Sequence, residues 1–174
     1  MRSATKNLVT VGVYTALLLG GQFVLSGVAG VEVVTVLLLA FCYVNGVRQG
    51  MLTANAFTLL RCFIFGFMPN VLLLYFVYYN LFAVVFGLVG KAFGREYGAV
   101  KHAALVPIAV AMTALFTVTD NILTPLMYGF SSAATKGYWA ASLYTLVPQL
   151  LCTLFTVLLL FPPLYKLLKA NAAR

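Results

Sequence analysis

Side chains able to do acid–base, redox or metal chemistry are few in this chain: three acids (Glu32, Glu96, Asp120), one histidine and three cysteines. His102 has no histidine or cysteine near it in sequence, and Cys42, Cys62 and Cys152 stand inside apolar runs without a partner at metal or redox-motif spacing. Metal ligation is therefore set aside, and the cysteines read as small buried hydrophobes. A membrane enzyme needs histidines, acids or an activated nucleophile gathered near one face, which this inventory does not supply. There is no Walker motif for ATP hydrolysis and no filter-like segment for a channel. The expectation is a non-enzyme that uses no cofactor.

The remaining polar groups suit recognition better than reaction. Glu32 follows a charge-free turn, Gly27 to Gly30, at the head of an apolar run. It reads either as an acid at a helix N-terminus or as a pocket group. Arg61 precedes the Gly66-Phe67-Met68-Pro69 break and could snorkel, pair with Glu32 or point into a polar cavity. Tyr75, Tyr78 and Tyr79 share a helical surface, with Asn80 beside them; interfacial anchoring is the alternative to lining a site. Thr117, Asn121 and Thr124 fall on one face with Asp120 close by, as in a helix whose outer half lines something wet, although Asp120 could be an ordinary loop acid. Tyr138 and Trp139 come where an aromatic belt would place them, and Pro148 and Gln149 form either a simple bend or a cavity wall.

These groups must be carried by membrane helices. The composition is 63% hydrophobic and 8% charged, too little charge to cover a soluble surface. Residues 70–90, NVLLLYFVYYNLFAVVFGLVG, contain no charge, and about 20 residues at 1.5 Å per residue cross a 30 Å hydrocarbon core. Five further apolar stretches give an expected all-α integral membrane protein, one domain over residues 1–174. Its six transmembrane helices are expected near 8–27, 31–45, 50–66, 70–90, 103–125 and 138–161. Pro162 and Pro163 are expected to close the last of them, and residues 125–137 to form the longest outer loop. Arg2 and Lys6 precede an apolar run that continues to about Ser26 without a charged exit, which favours a retained first span over a cleaved signal.

Charge distribution orients the bundle. With both termini cytoplasmic, nine of the eleven basic residues fall inside: Arg2, Lys6, Arg48, Lys91, Arg95, Lys101, Lys166, Lys169 and Arg174. Arg61 and Lys136 fall outside. This placement explains the net charge of +8 without nucleic acid. It also brings Glu32, Arg61, the tyrosine end of the fourth stretch, Asp120, Asn121 and Trp139 to the outer half, where they could converge on one pocket.

Span 1 carries Gly12, Ala16 and Gly20 at intervals of four, a small-residue face for close helix approach, within the bundle or to another subunit. With that ladder, GVYTALLLG, come GVEVVTVLLLAFCYVNGVRQG over residues 30–50 and RCFIFGFMPNVLLLYFVYYNLFAVVFGLVGK over residues 61–91. Taken together, these patterns resemble the substrate-binding S components of energy-coupling factor (ECF) vitamin transporters. The resemblance implies a bilayer-embedded receptor for a small vitamin-like molecule that associates with the transmembrane coupling subunit EcfT and two ECF ATPases. It assigns the coupling-subunit interface to Gly12, Ala16 and Gly20, although glycine departs from the family's usual alanines and leaves the register open between the first and second pair. The substrate site it implies comprises Glu32, Arg61, Tyr75, Tyr79, Asp120, Asn121, Trp139 and Tyr144. An aromatic surface with few fixed charges leans slightly towards cobalamin among the family's substrates. The alternative function is a small structural or assembly subunit of a membrane complex, its polar residues serving only to hold helices together.

Overall fold

The computed structural model describes residues 2–28 and 30–172; Arg174, counted above among the cytoplasmic basic residues, lies outside them. Among the described residues the fold is all-α, with α1 (Arg2–Leu25), α2 (Val34–Asn45), α3 (Val47–Phe65), α4 (Pro69–Ala92), α5 (Ala99–Tyr128) and α6 (Ser132–Ala172).

Six helices are present, but six membrane spans are not. Among the described residues, four stretches are long and apolar enough to cross a bilayer: Thr5–Leu25, Pro69–Ala92, Ala99–Tyr128 and Ser132–Ala170. The 12 residues of α2 rise about 18 Å, well short of a hydrocarbon core of about 30 Å. Every residue from Val34 to Val44 is buried, because α2 is enclosed by α3, α4 and α6, with α1 and α5 also touching it. Its apolar composition serves the interior of the bundle. The 19 residues of α3 are long enough, but Arg48, Gln49, Asn55 and Arg61 make it too polar. Several of its polar groups turn into protein: Asn55 accepts a hydrogen bond from Asn80 Nδ2 of α4 at 2.6 Å, and Thr53 and Thr58 are buried.

Two other boundaries differ from expectation. Helix α6 runs through Pro162 and Pro163, and its last turns are fastened where Tyr165 Oη and Lys169 Nζ each donate to the Arg95 carbonyl at 2.9 Å. Residues 125–137 are mostly helical, since α5 continues to Tyr128 and α6 starts at Ser132. Gly129, in the left-handed conformation at φ 62°, ends α5.

Large apolar side chains cover the outside of the bundle, among them Leu8, Val13, Phe63, Val100, Leu126 and Leu159. So much exposed apolar surface suits lipid, and the protein is a helical membrane protein in this sense. At one end, the basic connection between α4 and α5 is clamped onto the core. Tyr43 Oη donates to the Glu96 carbonyl at 2.7 Å, and Lys101 Nζ donates to the Phe93 carbonyl at 2.7 Å and pairs with Glu96 at 3.2 Å. His102 is a packing residue there, its Nε2 3.0 Å from the Val157 carbonyl and its ring against Phe161. Gly90 lets α4 meet the Tyr43 backbone where any side chain would overlap it.

Candidate functional site

The opposite end of α2 holds the site. Between Glu32, just before α2, and Tyr43 near its end lie eleven residue steps, about 16 Å of rise. A cavity of about 350 Å³ opens there between the last turns of α1, the following loop, the end of α3 and the middle of α6. Its polar lining consists of Gln22, Ser26, Glu32, Arg61, Thr145 and Gln149, with Leu25, Val28, Val31 and Phe65 as apolar walls.

The loop that presents Glu32 is held by α6. Gly30 has φ 76°, a left-handed conformation that favours glycine. A β-carbon on it would lie 2.7 Å from Pro148 Cβ and 3.1 Å from the Thr145 carbonyl oxygen, so the close approach also demands a hydrogen. Two residues on, Cys152 Sγ accepts from the Glu32 backbone N–H at 3.4 Å and donates to the Glu32 carbonyl at 3.2 Å. The Glu32 carboxylate accepts from Thr35 Oγ1 at 2.6 Å and from Gln149 Nε2 at 3.4 Å, both on Oε1. Oε2 has no partner among the described residues.

Arg61 forms the facing wall. Its guanidinium carbon lies 5.0 Å from the centre of the Phe65 ring and 4.8 Å from that of Tyr75, a cation–π arrangement on two rings. Its buried Nε has no hydrogen-bond partner among the described residues. The pairing of Arg61 with Glu32, one reading of the sequence, is absent: the ion pair found among the described residues is Lys101 with Glu96. Gln22 Nε2 donates to Tyr75 Oη at 3.1 Å, while Gln22 Oε1 is buried without a partner among the described residues. Behind Glu32 and Gln149 a second, inner cavity of about 10 Å³ reaches Thr35, Tyr78, Tyr79, Thr113 and Phe116; that is about the room of one water molecule.

Of the residues expected at the site from sequence, Glu32 and Arg61 line the main cavity, Tyr75 backs Arg61, and Tyr79 borders the inner cavity. The other four lie elsewhere. Asp120 accepts from Thr124 Oγ1 and Tyr138 Oη, each at 2.7 Å, and Asn121 Nδ2 donates to Ser142 Oγ at 2.7 Å. Both fasten the α5–α6 seam, which Asn70 of α4 joins by donating to Thr124. Trp139 is exposed, and Tyr144 is 85% exposed on the outside of α6. Neither lines the main or the inner cavity. The sequence reading passed over Gln22, Ser26 and Thr145. Gln22 did carry a signal, as an amide in an apolar run that must find a partner; Ser26 and Thr145 carried none.

On the outer face of α1, Gly12, Ala16 and Gly20 are all exposed. A β-carbon added at either glycine would meet nothing within 4 Å, so this small-residue face is not used for packing inside the bundle. No protein-family model, no curated protein and no solved structure matches the chain.

Proposed function

We propose that this protein is the substrate-capture subunit of an ECF-type importer in a prokaryotic plasma membrane, taking up a vitamin or related micronutrient with energy from partner ATPases. The observation that carries the proposal is the open cavity of about 350 Å³. It gathers charged and hydrogen-bonding side chains at one end of an otherwise lipid-adapted bundle. A small molecule in this space would meet the hydrogen-bonding side chains of Gln22, Glu32, Arg61 and Gln149.

Two further features support this reading. The cavity lies at the end opposite the basic α4–α5 connection, and by the positive-inside rule such a connection faces the cytoplasm and the cavity the exterior. The unused small-residue face of α1 suits a second membrane helix, the role assigned above to EcfT. The cavity volume is near the lower end of the range for small-molecule sites, about 300–1,000 Å³, and favours a compact solute over cobalamin.

The test is co-expression of the chain with EcfT and two ECF ATPases, followed by copurification and ATP-dependent uptake of a vitamin panel. Uptake that requires all four chains is expected. A chain that neither copurifies with the coupling subunit nor raises uptake of any panel member would refute the assignment.

A further inference from the structure

The cavity carries two opposite charges that are kept from each other. Glu32 comes from the loop before α2 and Arg61 from the end of α3, and both line the same 350 Å³ space. Although no other charged side chain among the described residues lines it, they do not form an ion pair, their nitrogen and oxygen atoms lying more than 4.0 Å apart. Each is held by neutral groups. Arg61 rests against the rings of Phe65 and Tyr75, and Tyr75 is itself tied to α1 by Gln22. Glu32 is anchored through Oε1 by Thr35 and Gln149 and through its backbone by Cys152. The anchoring of both side chains from separate helices sets up a fixed dipole across the cavity before any ligand arrives.

A solute entering this space displaces the water around both charges. One that carries a single charge satisfies one wall and strips the other, and a neutral one strips both. We propose, resting on the capture reading above, that the substrate is a small dipolar molecule. It bears an oxyanion that meets Arg61 and a cationic, proton-donating nitrogen that meets the free Oε2 of Glu32. The guanidinium supplies donors for the oxyanion, and the carboxylate oxygen accepts from the nitrogen. Gln22 and Gln149 line the same cavity.

The experiment uses the full chain in lipid nanodiscs and a matched set of probes. These are alanine, leucine, phenylalanine and tryptophan, with ω-amino acids from β-alanine to 6-aminohexanoate to vary the charge separation. Each is offered as the zwitterion, as its methyl ester (cation only), as its N-acetyl derivative (anion only) and as the N-acetyl methyl ester (neutral). Binding is read by thermal shift and by native mass spectrometry. At least one zwitterion should bind, and its singly charged forms should bind about tenfold to a hundredfold more weakly, the range for losing one charge-assisted hydrogen bond. Arg61→Gln should abolish the preference for the zwitterion over its ester, and Glu32→Gln the preference over its N-acetyl form. Because the probe series is read first on the unmodified chain, the outcome does not depend on either variant folding. Ester, N-acetyl or neutral forms that bind as well as the zwitterions would overturn the dipolar assignment while leaving capture intact. If no probe of any charge class binds, the dipolar assignment falls; if the vitamin panel is also refused in the four-chain uptake assay, the capture reading falls with it.

Discussion

Gly30→Ala is the sharpest perturbation available, because two separate costs meet at one atom. The first is backbone: φ of 76° costs an L-residue about 1–2 kcal/mol. The second is overlap, since the new β-carbon would sit 2.7 Å from Pro148 Cβ, 3.1 Å from the Thr145 carbonyl oxygen and 3.3 Å from the Gln149 nitrogen. These atoms belong to the α6 backbone and a proline ring and cannot swing aside, so overpacking adds about 1–3 kcal/mol. The chain can escape a total of about 2–5 kcal/mol only by lifting the loop off α6. That movement surrenders the two Glu32–Cys152 contacts and the Gln149 bond. The assay is N-ethylmaleimide labelling read at each cysteine by peptide mapping. Cys152 should label at least about thirtyfold faster in Gly30→Ala, the equivalent of 2 kcal/mol, while buried Cys42 stays protected as a measure of folding. Two glycines separate the terms. Gly66 has φ 87° but open space around a β-carbon, and Gly27 has open space and no left-handed φ. Gly66→Ala should lower the unfolding temperature modestly and Gly27→Ala should not, with neither altering Cys152. Unchanged Cys152 labelling in Gly30→Ala would refute the account of how Glu32 is positioned.

Other outcomes follow from the same geometry. Ala16→Trp, on the open face of α1, should reduce ATP-dependent uptake at least about tenfold, equivalent to 1.4 kcal/mol of lost association, while ligand-induced thermal shift persists; equal loss of both would argue against a docking role. Asp120→Ala removes the acceptor of two 2.7 Å hydrogen bonds and should destabilise the fold by about 1.5–3 kcal/mol, seen as a lower unfolding temperature with ligand binding retained. Loss of binding without loss of stability would return Asp120 to the site. In a cysteine-free background, Ser26→Cys should react with an impermeant thiol reagent on intact cells and Gly98→Cys only after permeabilisation. The reverse pattern would turn the cavity to the cytoplasm.

The local content of the site was legible where a polar side chain interrupted an apolar run. Glu32 and Arg61 stood out because a charge in such a run needs a reason, and Gln149 beside Pro148 was readable as a cavity wall. Asp120 and Asn121 sent the same signal, yet they turn out to fasten helices, with Tyr138 and Ser142 as partners. A buried polar group must find a hydrogen bond, and a protein neighbour satisfies it as well as a ligand does. Only the pairing of α5 with α6 distinguishes those cases.

By itself, the sequence determined that this chain is helical and lipid-adapted, that its basic residues cluster in particular connections, and that few groups were left for recognition. These are consequences of composition and local periodicity. What tertiary structure decided was the use of each apolar surface. The run at 34–45 has the hydrophobicity of a membrane span but is a short helix buried on all sides, because hydrocarbon and a packed protein core accept the same side chains. It also decided that Glu32 and Arg61 share a cavity without touching, since their separation is set by the rings of Phe65 and Tyr75 on one wall and by α6 on the other.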